Sequence, residues 1–165
     1  MNTRNVWPHI VGAVTLAALL IVVSTFKWPQ RPDPAAVYDK HVEAASVARA
    51  RGDLDAAWLE LTTAIEWWPG CLEARVTRGV VYQELGYWQD ALSDFETAKN
   101  FHPDEAAPCD KLALLLAACP DDSVRNGERA WAEAEQAVQL ASDQPLVRRT
   151  LIIALMEAGE WEDAK

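Results

Sequence analysis

Apolar residues follow two rhythms along this chain. Residues 10–26, IVGAVTLAALLIVVSTF, carry no formal charge, and the uncharged run reaches back through His9, Pro8 and Trp7 to Val6, 21 residues in all. As a helix that run measures about 30 Å, the hydrocarbon thickness of a bilayer. Further on the apolar positions become periodic. Leu54, Ala57, Trp58, Leu61, Ala64, Ile65 and Trp68 fall at steps of 3, 1, 3, 3, 1 and 3, which is one face of an α-helix. Trp88, Ala91, Leu92, Phe95 and Ala98 repeat the pattern. Another amphipathic helix is predicted before each turn, over 37–50, 71–85, 106–118 and 146–158.

The periodic part repeats as a block. Gly52 and Gly86 lie 34 apart, as do Leu54 and Trp88, Ala57 and Ala91, Leu61 and Phe95, Ala64 and Ala98, and Pro69 and Pro103. Ala130 and Ala164 keep the spacing of 34, but Ala91 to Ala130 is 39, so the third unit carries five extra residues. A fixed period of this size is the mark of a stacked-repeat architecture. Gly52 and Gly86 fall in the turns, where positive φ is wanted. Pro69 and Pro103 follow helices they cannot continue.

These residues resemble the tetratricopeptide repeat (TPR) family over 37–165. The resemblance carries small residues at positions 8, 20 and 27 of each unit, bulky ones at 4, 7, 11, 17 and 24, and Pro at 32. The unit from Leu72 fits best, with Gly79, Tyr82, Gly86, Trp88, Ala91, Phe95, Ala98 and Pro103, and departs at Arg75 and Arg78. The units are expected over 38–71, 72–105 and 106–144, with a partial unit over 145–165. The resemblance implies an all-α fold, a right-handed α-solenoid of helix-turn-helix units. It also implies protein or peptide binding in a concave groove lined by positions 2, 5, 9 and 12. Those are Asp39, Val42, Ser46 and Arg49; then Glu73, Val76, Val80 and Gln83; then Ala107, Asp110, Leu114 and Ala117; then Leu146, Arg149, Ile153 and Met156. The chaperone-binding subfamily wants Lys and Asn at positions 5 and 9 of its first unit. Val42 and Ser46 do not match that clamp.

Ahead of the repeats, Trp7 and Trp28 border the apolar run, and Lys27 and Arg31 stop it, the pattern of a membrane-spanning helix with interfacial anchors. The expected layout is a tail over 1–9, a transmembrane helix over 10–27 and a Pro-rich, extended linker over 28–36. A cleaved signal peptide is the competing reading, but no A-x-A follows the run. A single-pass protein of the inner membrane of a bacterium, with its body outside the cytoplasm, is the expected placement.

Charge sharpens this division. Residues 1–36 hold Arg4, Lys27 and Arg31 against Asp33, a net of +2; residues 37–165 hold 12 basic and 24 acidic residues, a net of −12. An acidic body argues against nucleic-acid binding, which needs clustered Lys and Arg. No catalytic, nucleotide or zinc motif occurs in the chain, so no enzyme activity, cofactor or metal is expected. Asp121 and Asp122 in the insertion lack the spaced third ligand of a calcium loop, and that segment reads as a connection with Ser123 or Asn126 capping the next helix. The remaining carboxylates read as solvated helix surface. Cys71, Cys109 and Cys119 are expected to be free and at least half-buried. Trp67 is expected to be exposed beside Trp68. The last unit stops after one turn of its second helix, which leaves Leu151, Ile152, Leu155 and Ala158 half covered. Either the chain is a fragment, or that face meets a partner or a second copy. The sequence therefore predicts a non-catalytic, membrane-anchored scaffold. The alternatives are an exported soluble binding module and the regulatory array of a longer enzyme.

Overall fold

The computed structural model describes residues 33–141 and 145–158. The expected tail, transmembrane helix and the linker up to Pro32 lie outside the described residues, as does the end of the partial unit. Among the described residues no helix is long and apolar enough to cross a membrane. Seven α-helices follow one another: α1 (Pro34–Ala50), α2 (Leu54–Trp67), α3 (Leu72–Leu85), α4 (Trp88–Phe101), α5 (Ala106–Ala118), α6 (Gly127–Leu140) and α7 (Pro145–Ala158).

Local chemistry sets the ends. The Asp33 carboxylate accepts from the Ala35 amide at 3.1 Å, and Pro34 sits in the first turn, where its missing donor costs nothing. So α1 takes in the last three residues of the expected linker: Pro34 opens a helix here and does not extend the chain. Asp53 caps α2 through the Ala56 amide. Gly52 and Gly86 have φ of 78° and 82°. That left-handed step lets the Tyr87 amide reach the Tyr82 carbonyl and the Asp53 amide reach the Ala48 carbonyl, closing each α-α turn on otherwise orphaned carbonyls. In the third unit the insertion does this work. The Asn126 amide donates to the Leu116 carbonyl at 2.8 Å, and its side chain accepts from the Arg129 amide to cap α6. Asn126, not Ser123, is the cap. Val124 plugs the core from the same loop.

The small residues sit where helices approach. Ala45, Ala113, Ala57, Ala91, Ala130, Ala64, Ala98 and Ala137 are all buried. Gly79 is the tightest case: a Cβ there would lie 2.4 Å from Cε1 of Phe95. Each helix packs on its sequence neighbours, and first helices also meet across units, α3 with α5 and α5 with α7. This is the near-linear contact pattern of a stacked repeat. Two main apolar clusters result. One joins Tyr38, Ala45, Leu61, Ile65 and Val81; the other joins Phe95, Leu112, Leu115, Leu116, Val124 and Ala154.

Two tryptophans depart from the expected face. Trp68 is the residue after α2, with φ −138°, and is half exposed against an edge of Tyr38. Pro69 disfavours helical geometry in the residue before it, so Trp68 swings off the helical face. Trp58 is more than a third exposed, and its indole donates to the Tyr82 hydroxyl at 2.8 Å. Trp67 is exposed as expected. Leu151 is half-buried against the second cluster and Ile152 is exposed.

Candidate protein-binding face

The first helices of the units, α1, α3, α5 and α7, supply the expected groove positions. Shallow depressions run along them. Ser46, Arg49, Ala50, Thr77 and Glu84 line one between α1 and α3. Tyr38, Cys71, Glu73, Val76 and Ala107 line a second. Asp110, Lys111, Leu114, Arg149 and Thr150 line a third between α5 and α7.

The groove positions differ in exposure. Asp39, Ser46, Arg49, Glu73, Ala107, Arg149 and Met156 are exposed. Val42, Val76, Val80, Gln83, Leu114 and Ile153 are half-buried, and Val76, Val80 and Ile153 pack against the second core cluster. Ala117 and Asp110 are buried. Asp110 accepts from the Thr150 hydroxyl at 2.5 Å and from Lys111 at 3.4 Å, so its carboxylate holds α7 against α5 and presents little of itself to solvent. Arg49 donates to Glu84 at 3.0 and 2.5 Å, which ties α1 to α3 at the rim. The Leu146 side chain lies outside the described ones.

The Cys71 thiol donates to the Tyr38 hydroxyl at 2.6 Å. Burial pushes the Tyr38 phenol well above its ordinary range, and the Cys71 hydrogen bond adds to the shift. Burial likewise pushes the Cys109 thiol up, away from the thiolate that nucleophilic chemistry needs. In the insertion, hydrogen bonds from Ser123 hold the Asp121 carboxyl below its usual range, while Asp122 pairs with Arg125. Among the described residues no three His, Cys, Asp or Glu side chains converge as a metal site.

Not all the carboxylates are solvated. Asp94 and Glu133 are buried, and with Glu60 they occupy one repeat position, spaced by 34 and 39. Each finds a partner. Glu60 pairs with His41 at 2.6 Å, and Glu133 with Lys99 at 2.7 Å. Asp94 takes a two-pronged bond from Arg78 at 2.7 and 2.8 Å, with Arg75 at 3.6 Å. Burial opposes the Arg78 charge, but Asp94 outweighs it, so the guanidinium titrates above its ordinary value. Arg75 and Arg78 thus fill the two bulky positions where the second unit departs from the family pattern. The signal was in the sequence as a carboxylate at a fixed repeat position facing two misplaced arginines.

No family model and no curated protein matches this chain. Solved structures do. The TPR domain of Sgt2 from Aspergillus fumigatus aligns with TM-score 0.69 and 20% identity, over 82% of this chain and 88% of that one. The first TPR of Spaghetti (RPAP3), bound to the HSP90 peptide SRMEEVD, aligns with TM-score 0.62 and 15% identity, over 74% and 90%. An O-GlcNAc transferase mutant from Thermobaculum terrenum aligns with TM-score 0.66 and 23% identity, over 76% of this chain but only 23% of its own length. The chain therefore spans less than a quarter of that transferase. The described residues have the TPR fold.

Proposed function

We propose that this protein is a membrane-tethered, non-catalytic scaffold that holds a protein segment along the face made by α1, α3, α5 and α7. One observation carries the reading. Half-buried aliphatic residues, Val42, Val76, Val80, Leu114 and Ile153, alternate there with exposed Asp39, Arg49, Glu73 and Arg149. An apolar floor with a charged rim suits an extended or helical peptide, whose side chains fill the floor while its backbone stays near polar groups. The peptide held by the Spaghetti domain supports the class of partner. Tethering rests on the uncharged run 10–26 and its flanking tryptophans, and the body then lies outside the cytoplasm. The likeness to part of an O-GlcNAc transferase favours a second reading, a regulatory array attached to an enzyme.

The test is site-specific photo-crosslinking of the full chain in its native membrane. Probes at Arg49 and Glu73, both exposed on the proposed face, should trap one discrete protein. Probes at exposed Asn100 and Glu135, on α4 and α6, should not. The reverse pattern would reject this face. On the same cells, a C-terminal tag cut by protease only after the outer barrier is permeabilised would support the proposed topology, and a tag protected until the inner membrane opens would overturn it.

A further inference from the structure

A second site lies away from that face, at the turn end where α2 meets the α3–α4 turn. Trp58, Tyr82 and Tyr87 line a depression of about 310 Å³ together with Asp55, Asp90 and Leu85. The aromatic wall is held in place. The Trp58 indole donates to the Tyr82 hydroxyl at 2.8 Å, and Tyr87 meets Tyr82 edge-on, with centroids 6.3 Å apart at 76°. The rings are nonetheless open to solvent, Trp58 at 37% and Tyr87 at 57%. Apolar burial alone does not explain two large rings left this exposed beside each other.

The carboxylates set the sign of what fits. Asp55 and Asp90 stand in the first turns of α2 and α4 and are exposed. Among the described residues neither forms an ion pair within 4.0 Å; Arg78 feels the Asp90 charge only at longer range. Aromatic faces beside anionic groups attract a cation, and a planar guanidinium both stacks on a ring and bonds a carboxylate in two-pronged fashion. The protein uses the same pairing internally: the Arg78 guanidinium lies 5.6 Å from the Tyr82 centroid and the Arg75 guanidinium 5.5 Å from that of Phe101. Arg78 occupies one face of Tyr82, so the free surface belongs to Trp58 and Tyr87.

We propose that this depression is a docking site for an arginine side chain of a protein partner, stacked on Trp58 and Tyr87 and bonded to Asp55 and Asp90. The net charge of −12 over 37–165 draws a basic segment toward the body, and the aromatic pair gives it one place to lodge. The open shape suits a side chain presented from another surface, not an engulfed small molecule. The site is separate from the face of α1, α3, α5 and α7, so it stands whether or not that face binds.

The test follows the Trp58 indole N–H by NMR in the full chain in non-ionic detergent. The probes are acetyl-Gly-Arg-Gly-amide, the same peptide with citrulline, which keeps the shape without the charge, and choline. The arginine peptide should shift the Trp58 signal saturably, with the citrulline peptide about tenfold weaker. Asp55→Asn with Asp90→Asn should weaken arginine binding about fivefold while the remaining tryptophan signals stay in place. Trp58→Leu should abolish saturable shifts elsewhere in the depression; the surface Asn variants cover the case in which that variant does not fold. Equal binding of arginine and citrulline, or no saturable shift with arginine, overturns the proposal. Tighter binding of choline than of the arginine peptide also overturns it, in favour of a free quaternary ammonium ligand.

Discussion

A single missing methyl group decides how closely α3 and α4 can lie. With a Cβ at position 79 placed 2.4 Å from the Phe95 ring, Gly79→Ala must displace a fully buried aromatic. Overpacking of this kind costs about 2 kcal/mol, against a helix-propensity gain of about 1 kcal/mol. Gly79→Ala should therefore lower stability in urea by about 1 kcal/mol. Combining it with Phe95→Leu should cost less than the two changes summed, because the smaller side chain vacates the clash. Additive costs would mean that the ring moves freely. The Asp94 cluster makes the opposite kind of contact. Asp94→Ala leaves Arg78 and Arg75 facing a buried gap and should cost about 3 kcal/mol. Replacing Arg75, Arg78 and Asp94 together by apolar residues should restore much of that loss, since unpaired buried charge, not lost attraction, is the main penalty. Titration adds a residue-scale prediction. Tyr38 and Cys109 both have pKa values raised in the folded chain, so folding favours their neutral forms. Their contribution is complete below the ordinary values of 10.0 and 9.0 and is lost as pH rises beyond them. The urea midpoint should fall between about pH 8 and about pH 10.5, and Tyr38→Phe with Cys109→Ala should flatten that fall. An unchanged slope in the double variant would place the alkaline sensitivity elsewhere.

The helix ends differ in how they are made. The α1–α2 and α3–α4 turns depend on one glycine each at positive φ. The α5–α6 connection has no such glycine among its residues and is instead pinned by Asn126, which accepts the Arg129 amide and donates its own amide to the Leu116 carbonyl. Asn126→Ala removes the side-chain cap and should cost about 1 kcal/mol. Ser123→Ala should cost much less, because the Ser123 hydroxyl makes only solvent-facing contacts, taking one from Gln89 and giving one to the Asp121 carboxylate. Equal losses from the two would mean that the cap is not what holds α6. Hydrogen exchange at the first amides of α6 reads the same event locally, and protection there should drop in the Asn126 variant alone.

Across the molecule, the ties between units run at nearly one repeat length. Arg49–Glu84, Lys99–Glu133, Arg129–Glu96 and Cys71–Tyr38 each join residues 33 to 35 apart, so stability passes from unit to unit through neighbours. The two main apolar clusters divide this stack. Leu116→Ala strikes the one built on α4 to α7 and should cost about 3 kcal/mol. Amide protection should fall most in α5 to α7 and least in α1 and α2; a uniform fall would mark one all-or-none unit. Much of this arrangement is legible in the chain itself. The spacing of 34, the small residues at the helix crossings, Gly52 and Gly86 in the turns and the extra five residues follow from helical periodicity and the steric demands of close packing, which act locally or at fixed repeat intervals. The candidate face is legible as a set of positions but not as a set of exposures: Asp110 is drawn inward by Thr150, a contact 40 residues away. Trp58, Tyr82 and Tyr87 come together only because a turn of one unit lies against a helix of the unit before it. The pairing of Asp94 with Arg75 and Arg78 is likewise a choice made across two helices. Periodicity fixes which side of a helix is apolar because that depends on one residue's place along one helix. Which charges are buried, and which rings meet, depends on what the neighbouring unit presents, and only the packed structure decides that.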